Sequence, residues 1–302
     1  MIEAKVVFSG ENEKRSYVEE CEAGFEAALD RAVARVLAEA NSRIVTLSGP
    51  TCSGKTTLAR KLISEFSEAG RRVHVVSIDD FYYDRALLLE RAAANGGVID
   101  FDSPSTIDMN TFGATVADIF DGRSTSIPRF DFKSGCRAGY EEITPDEQDV
   151  FIFEGIQAIY PEVTAHFAGH DYFSVAVFAN RGIRAFGEVV DRTELRLLRR
   201  LVRDYNFRGA TPTFTLELWR SVRSNEEMHI IPYLGDADLL IDSTLGYELS
   251  VLKPFLLPLL AKIPGDHEFR AEADRIAGLL SRIDEITKSY IPSISLYREF
   301  LG

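Results

Sequence analysis

Eight consecutive residues, Gly49 to Thr56, have the types and spacing needed to bind nucleotide phosphates. They fit the pattern G-x-x-x-x-G-K-[ST] in full. In such a loop the backbone N–H groups point into one concavity, the lysine reaches the β- and γ-phosphates, and the hydroxyl binds Mg²⁺. We therefore predict a site for ATP and Mg²⁺ in which Lys55 also acts in catalysis. The predicted nucleotide-binding residues are Gly49, Pro50, Thr51, Cys52, Ser53, Gly54, Lys55, Thr56 and Thr57.

Acidic residues stand at the ends of two apolar segments farther along the chain. Asp79 and Asp80 follow the segment Arg72–Ser77, and Glu154 ends the segment that begins at Asp149. A carboxylate that leaves a strand beside the phosphate loop can accept the proton of a hydroxyl group and face Mg²⁺. We expect the two aspartates to have separate roles, because neighbouring side chains at a strand end point in different directions. The alternative is a solvated acidic turn, which is a common structure.

A basic segment has the spacing of a helix with one arginine-rich face. The arginines follow one another at intervals of four, three and four residues, at Arg192, Arg196, Arg199 and Arg203. A stripe of like charges is destabilising unless it meets anions, and the phosphates of a nucleotide would be suitable partners. Arginine suits this role because its planar group can bind two oxygens at once. The alternative is a solvated surface helix whose charges are balanced by Glu188, Asp191 and Glu194.

Apolar runs that alternate with helical patterns predict an α/β fold with a parallel sheet flanked by helices. Core strands are predicted at Arg43–Ser48, Arg72–Ser77, Asp149–Glu154, Tyr172–Phe178 and Ala237–Asp242, and a separate strand near Lys5–Ser9. Helices are predicted at about Cys21–Ala40, Thr57–Phe66, Thr193–Asp204, Glu248–Ala261 and His267–Ile286. The long polar and aromatic stretch between Asp79 and Asp149 is expected to build the acceptor site, because long insertions between core strands are usually functional.

The composition favours a cytoplasmic protein without nucleic-acid or membrane partners. The chain has 302 residues, of which 45% are hydrophobic, and a net charge of −13. No apolar run approaches the ~20 residues that a membrane span requires, and the N-terminus lacks the pattern of a secretory signal. A surface this acidic repels the phosphate backbone of nucleic acids. The cysteines, Cys21, Cys52 and Cys136, have no close spacing and indicate reduced thiols.

Several motifs occur in an order that resembles the uridine kinase and phosphoribulokinase group of P-loop kinases. Besides the phosphate loop, these are Ser77-x-Asp-Asp-Phe-Tyr82, Ile127-Pro-Arg-Phe-Asp-Phe132, Phe153-Glu-Gly-Ile156 and Leu198-Arg-Arg-Leu-Val-Arg-Asp204. Segments that resemble a bacterial branch of uridine kinase-like nucleoside kinases are Arg199–Gly209, Trp219–Arg223 and Tyr247–Phe255. The resemblance runs from about Ile44 to Leu260, and the ending Ile291-Pro-Ser…Arg298-Glu-Phe-Leu fits the same branch.

The resemblance implies a P-loop kinase with a five-stranded parallel sheet, an acceptor-site insertion and an arginine-rich lid. It implies that Asp79 deprotonates the acceptor hydroxyl, and that Asp79, Thr56 and Glu154 hold Mg²⁺. Arg199 and Arg203 are implied to be catalytic lid arginines over the phosphates, and Asp102 is implied to hold the ribose hydroxyls. The implied substrate-binding residues are Asp79, Tyr82, Asp102, Phe130, Arg137 and Arg196.

The base pocket departs from the uridine kinase pattern. Where uridine kinases have a tyrosine and, five residues on, a histidine, this chain has Phe130 and Gly135. Phe130 can still stack on a base, but the lost hydroxyl and imidazole remove polar readout of the base edge. We expect Gly135 to leave open volume that admits a larger or differently edged base, and hence a weaker preference for pyrimidines.

The expected function is transfer of the γ-phosphoryl group of ATP to the 5′-hydroxyl of a ribonucleoside. One alternative is a kinase for another small alcohol, pantothenate-like or phosphosugar-like, and another is an ATP-dependent regulator that phosphorylates no metabolite. The sequence does not determine whether the protein is a monomer or a homo-oligomer. We divide the chain into an N-terminal strand–helix extension (1–42), a kinase domain (43–262) with an acceptor insertion (79–149) and a lid (192–230), and a C-terminal helical tail (263–302).

Overall fold

The computed structural model describes residues 1–39, 43–50, 53–94 and 101–302. Its strands are β1 (Ile2–Glu3), β2 (Ile44–Ser48), β3 (Val73–Ser77), β4 (Thr125–Asp131), β5 (Cys136–Ile143), β6 (Val150–Glu154), β7 (Tyr172–Phe178), β8 (Ile183–Ala185), β9 (Glu188–Val190) and β10 (Leu239–Asp242). Its α-helices are α1 (Glu11–Ala38), α2 (Lys55–Glu68), α3 (Arg85–Ala94), α4 (Met109–Phe120), α5 (Pro161–Thr164), α6 (Arg192–Arg208), α7 (Pro212–His229), α8 (Glu248–Ala261), α9 (Arg270–Arg282) and α10 (Arg298–Leu301).

The central sheet contains five parallel strands in the order β10-β7-β2-β6-β3. Parallel strands end at the same edge of a sheet, so the segments that follow β2, β3 and β6 meet there. Leu47 of β2 and Ser77 of β3 both pair with Glu154 of β6. The predicted α/β fold with five parallel strands is confirmed, and its register places the phosphate loop beside both acidic strand ends.

Both faces of this sheet are covered, which explains why its strands are mostly apolar. Along β6, Ile152 points into a core that includes residues of α1, α2, α6, α8 and α9, whereas Phe151 and Phe153 point into a second core with α4. Successive side chains of a strand alternate between the two faces. The N-terminal extension and the C-terminal tail therefore bury side chains in the same core as the sheet.

The strand predicted near Lys5–Ser9 is not found. The short strand β1 lies earlier and pairs in parallel with β8. The later segment bonds to a C-terminal loop instead, because Asp284 N donates to Val6 O at 2.8 Å and Phe8 N donates to Asp284 Oδ2 at 2.8 Å. These bonds engage the backbone groups that a strand ladder would use.

The predicted helices are present, and three of them, α1, α2 and α6, begin or end farther out than predicted. α1 begins at Glu11 rather than at Cys21, with acidic residues in its first turn, where the helix dipole favours negative charge. α6 begins with a capping box of Asp191 and Glu194 and ends at Arg208, which is followed by Gly209 in the left-handed conformation. No helix within the described residues is both long enough and apolar enough to cross a lipid bilayer.

The acceptor insertion is built around a β-hairpin. β4 and β5 pair antiparallel, with a register irregularity between Arg129 and Phe130. α3 precedes the hairpin, and α4 packs its apolar face against the sheet through the buried side chains of Phe112, Val116 and Ile119. The insertion therefore lies at the same edge of the sheet as the ends of β3 and β6.

Candidate active site

Two glycines shape the loop between β2 and α2. Gly49 has a φ of +154°, and a Cβ at this position would collide with the carbonyl oxygen of Val177 in β7. Gly54 has a φ of 97° in the left-handed region and is the N-cap of α2. Only glycine adopts these backbone conformations without strain. The loop can therefore approach β7 closely and aim the first N–H groups of α2 at a bound anion.

The other loop residues lie at the start of α2. Lys55 folds back over the loop, and its Nζ donates to Gly49 O at 2.7 Å. Ser53 is buried, and its hydroxyl oxygen has no hydrogen-bond partner among the described residues, whereas Thr56 is exposed. The structure brings together Gly49, Pro50, Ser53, Gly54, Lys55, Thr56 and Thr57, whereas the predicted Thr51 and Cys52 lie outside the described residues.

Asp79 lies directly after β3 in a short 3₁₀ turn. Its Oδ1 accepts a hydrogen bond from Gln157 Nε2 at 2.9 Å, and the same amide nitrogen donates to Tyr82 OH at 3.0 Å. Burial raises the pKa of the Asp79 carboxyl, whereas Gln157, the charge of Lys55 and Tyr82 oppose this shift. A held carboxylate with a raised pKa beside the phosphate-loop lysine is suited to accept the proton of a substrate hydroxyl.

Gln157 is the site residue that the sequence interpretation missed. It is fully buried and lies shortly after the motif Phe153-Glu-Gly-Ile156, where that interpretation ended. A Cβ at Gly155 would lie 2.7 Å from Gln157 Oε1, so the glycine leaves room for the amide. A buried amide needs polar partners. The position of a glutamine three residues after the acidic strand end is the signal that could have identified it.

Asp80 has a role separate from that of Asp79, as the sequence predicted. Its Oδ1 accepts from Phe130 N at 2.9 Å, and its Oδ2 accepts from Arg129 Nη1 at 2.9 Å. Both donors belong to β4, so Asp80 fastens the hairpin of the acceptor insertion to the end of β3. The alternative of a solvated acidic turn is therefore wrong.

The predicted Mg²⁺ ligands, Thr56, Asp79 and Glu154, offer only oxygen atoms. Glu154 Oε1 accepts from Ser77 Oγ at 2.9 Å, and burial and the charge of Asp79 raise the pKa of its carboxyl, while Lys55 lowers it. Two neighbouring carboxylates and a hydroxyl fit a hard cation that also binds phosphates and water. Among the described residues, no group of three or more His, Cys, Asp or Glu could hold a metal alone. The phosphates would therefore complete the coordination.

An aromatic cavity of about 170 Å³ lies in the acceptor insertion. Its lining residues are Tyr82, Tyr83, Arg85, Leu88, Phe101, Phe130 and Phe132. The Phe130 ring lies 5.7 Å from that of Tyr82 and 5.3 Å from that of Phe132, centroid to centroid. Because Tyr82 shares the Gln157 amide with Asp79, the cavity is connected to the predicted base by two hydrogen bonds. Its aromatic faces suit a planar ring.

The expectation of open volume at Gly135 is wrong. A Cβ at this position would lie 2.9 Å from Arg85 Cβ and Nε. Arg85 N donates to Gly135 O at 2.7 Å, and Arg85 Nη2 donates to Phe132 O at 2.9 Å. The space without a side chain is thus filled by an arginine from α3, which places a guanidinium group in the lining of the aromatic cavity.

Two further predicted substrate residues lie within the insertion. The backbone oxygen of Asp102 accepts from Tyr160 OH at 3.0 Å, and the Asp102 carboxyl lies close enough to raise the pKa of Tyr82. Arg137 Nη2 donates to Asp108 Oδ2 at 2.8 Å, so its guanidinium is held by a carboxylate of the protein. The contacts of Asp102 and Arg137 with a substrate stay predictions.

Two members of the predicted arginine stripe are buried inside the protein. Arg196, 1% exposed, forms a bidentate ion pair with Glu226 of α7. Arg199, 0% exposed, binds both carboxylate oxygens of Glu248, at 2.9 and 2.6 Å. Arg199 Nη1 also donates to Ser243 Oγ at 3.3 Å. The stripe meets anions, as its charge requires, but these anions are side chains of the protein.

Among the described residues, Glu226 holds the guanidinium of Arg196 and Glu248 holds that of Arg199. The alternative of a solvated surface helix is also wrong for these two residues, because both are buried. Arg203 is partly buried and binds Asp204 Oδ1 at 3.0 and 2.6 Å. That these three arginines act on phosphates stays a prediction. Of the three, Arg203 has the least buried side chain.

A phosphate loop on a five-stranded parallel sheet, with carboxylates at the ends of two neighbouring strands, defines the fold of a P-loop kinase. Residues 44–248 match the model of the Phosphoribulokinase / Uridine kinase family. The chain belongs to this family.

Curated relatives include three uridine kinases. Uridine-cytidine kinase A of Dictyostelium discoideum is 27% identical over 202 residues, which are 67% of this chain and 36% of that protein. Uridine-cytidine kinase 2-B of Danio rerio is 30% identical over 55% of this chain and 59% of its own length. The uridine kinase of Staphylococcus haemolyticus is 26% identical over 67% of this chain and 88% of its own length. The chain thus spans less than two thirds of the first two relatives.

Solved structures share the fold. A fructose transport system kinase candidate from Silicibacter sp. TM1040 superposes with a TM-score of 0.53 at 22% identity, over 70% of this chain and 98% of the other. The YGR205w protein gives a TM-score of 0.51 at 16% identity, over 72% of this chain and 89% of the other. At these identities the likeness concerns the fold alone.

Proposed function

We propose that this protein transfers the γ-phosphoryl group of ATP to the 5′-hydroxyl of a ribonucleoside. The hydroxyl oxygen forms a bond to the γ-phosphorus, the bond to the β–γ bridging oxygen breaks, ADP leaves, and the carboxylate of Asp79 accepts the hydroxyl proton. Family membership and the similarity to uridine kinases support this class of reaction.

The observation that carries the proposal is the position of Asp79. Its carboxylate is oriented by the Gln157 amide at 2.9 Å and lies within electrostatic reach of Lys55. A base held between the phosphate loop and the acceptor insertion can serve a hydroxyl aimed at the γ-phosphate. Thr56, Asp79 and Glu154 would hold Mg²⁺, whose charge helps to neutralise the phosphates.

For the acceptor, we propose that Phe130 stacks on the base and that Asp102 binds the ribose diol. Stacking is tolerant of base identity, whereas hydrogen bonds to a base edge discriminate strongly. Arg85 lies in the lining of the same cavity and can donate to carbonyl or ring-nitrogen acceptors of a base. It would supply the polar readout that the histidine supplies in uridine kinases.

The test is a panel of acceptors assayed with ATP and Mg²⁺. We expect kcat/KM to be highest for ribonucleosides, with a modest preference among uridine, cytidine, adenosine and guanosine. The 2′-deoxy forms should be at least about tenfold poorer, because Asp102 loses a hydroxyl partner. Equal rates on ribo and deoxy forms would remove Asp102 from this role. Activity only on pantothenate or phosphosugars, or ATP binding without transfer to any acceptor, would replace the proposal with the corresponding alternative.

Arg85→Ala is expected to reduce kcat/KM for the preferred nucleoside by about tenfold or more, chiefly through KM, and to change the order of preference among bases. The guanidinium is removed, while the aromatic faces of the cavity remain. The measurement is kcat/KM for the four ribonucleosides. The matched control is Arg91→Ala on the same helix, because Arg91 lies 4.2 Å from the Tyr83 ring centroid but is not among the residues that line the cavity. An unchanged base preference in the Arg85 variant would contradict this role.

A further inference from the structure

The C-terminal segment, residues 288–302, lies against the phosphate loop, although it is outside the residues 44–248 that match the family. The contact is made by Leu296, whose Cβ would lie 3.5 Å from a Cβ built on Gly54. The sequence ending Ile291 to Leu301, which the motifs of the kinase domain leave unexplained, therefore has a defined place beside the candidate active site.

Buried aromatic residues fix this segment in position. Tyr297 and Phe300 are both 0% exposed, and their ring centroids lie 5.5 and 5.8 Å from the guanidinium carbon of the buried Arg199. Asn206 Nδ2 of α6 donates to Phe300 O at 2.9 Å. Because displacement would expose these rings to water, the segment is a fixed wall of the site rather than a mobile cover.

Glu299 projects from this wall toward the start of α2. Its carboxylate lies near the Thr56 hydroxyl and within electrostatic reach of Lys55, Arg60 and Arg203. One oxygen, Oε1, is buried without a hydrogen-bond partner among the described residues. Burial raises the pKa of Glu299, whereas Lys55, Thr56 and the two arginines lower it.

The positive charges around Glu299, those of Lys55, Arg60 and Arg203, are the kind that bind phosphates. A carboxylate among these cations repels the triphosphate when no metal is present, because like charges at short range disfavour each other. A divalent cation bound at the exposed Thr56 hydroxyl reverses this effect. The nearby carboxylate of Glu299 would then attract the cation, as outer-shell carboxylates do at many metal sites.

We propose that Glu299 is a positioning residue of the Mg²⁺–ATP site, and that it makes tight ATP binding depend on Mg²⁺. The inference rests on the proposed function, because it places ATP at this loop. Glu299 contributes through its negative charge, which lies beside the Thr56 hydroxyl and Lys55.

The test is calorimetric measurement of the ATP Kd in excess EDTA and in excess Mg²⁺. In Glu299→Gln the side chain keeps its size and loses its charge. We expect metal-free ATP to bind about threefold tighter or more, and ATP with Mg²⁺ to bind about tenfold weaker. The ratio of the Kd in EDTA to the Kd in Mg²⁺ should therefore shrink by about thirtyfold or more. Glu299→Asp keeps the charge, and its ratio should lie between those of the wild type and the Gln variant.

The matched control is Glu285→Gln, an exposed glutamate in the same tail, which should leave both Kd values unchanged. Thermal unfolding of each variant shows that the fold is retained. If Glu299→Gln changes the ATP Kd by the same factor in EDTA and in Mg²⁺, the inference is overturned and the proposed function stands. If Glu299→Gln does not fold, a Glu299→Asp ratio equal to that of the wild type overturns it. If the wild-type protein binds ATP in neither condition, both the inference and the proposed function are overturned.

Discussion

Replacing Asp79 with asparagine is expected to lower kcat for phosphoryl transfer by about 10²- to 10⁴-fold, the range typical of a general base. Asparagine keeps an oxygen that can accept the 2.9 Å hydrogen bond from Gln157, so the side chain stays oriented. It cannot take the hydroxyl proton, and it gives a metal a weaker ligand. We expect the ATP Kd to stay within about threefold, because phosphate contacts come from the loop. Single-turnover rates and calorimetry measure the two effects separately.

The matched control is Asp80→Asn, the same substitution at the next residue. Asparagine can still accept from Phe130 N but loses its charge toward Arg129, whose side chain is 44% exposed. The hydrogen bond from Phe130 N to the side-chain oxygen remains, so the hairpin should stay attached. We expect a higher KM for the acceptor and a kcat within about threefold. A large loss of kcat in this variant with little change in Asp79→Asn would move the base to Asp80.

The fold was predictable because its signals are local. The strands of the central sheet are mostly apolar runs, and Gly49 and Gly54 mark the loop that joins β2 to α2. The ends of parallel strands lie at one edge by geometry, so the sequence also predicted that Asp79 and Glu154 approach the loop. The error at Lys5–Ser9 arose because its partner, Asp284, lies 276 positions from Phe8 in the chain.

The parts of the site that sequence reasoning missed depend on distant pairs in the same way. Arg196 and Glu226 are 30 positions apart, and Arg199 and Glu248 are 49 apart. A helical arginine stripe has the same pattern whether it meets phosphates or buried carboxylates, so spacing alone cannot separate the two. Similarly, the absence of a side chain at Gly135 gave no sign that Arg85 fills the space.

Lys55→Ala is expected to lower ATP turnover by at least about 100-fold, with a weaker ATP Kd as well. Lys55 is the cation that lowers the pKa of Asp79, Glu154 and Glu299 together. Its removal leaves three carboxylates facing the triphosphate without that charge, so the local potential becomes more repulsive to ATP. The fold should be retained, because the side chain bonds to Gly49 O in the loop and does not pack in the hydrophobic core.

The control for this variant is Lys61→Ala, which removes the same charge from the same helix. Lys61 lies away from the loop and pairs with Glu26 and Asp30 of α1, so its loss should cost about 1 kcal/mol of stability or less and leave turnover within about twofold. Steady-state kinetics with saturating acceptor and thermal unfolding of both variants give the comparison. If the Lys55 variant turned over ATP at the wild-type rate, neither the loop nor its charge would act on the phosphates. An equal loss in both variants would show that the helix as a whole, rather than the lysine at its N-terminus, sets the rate.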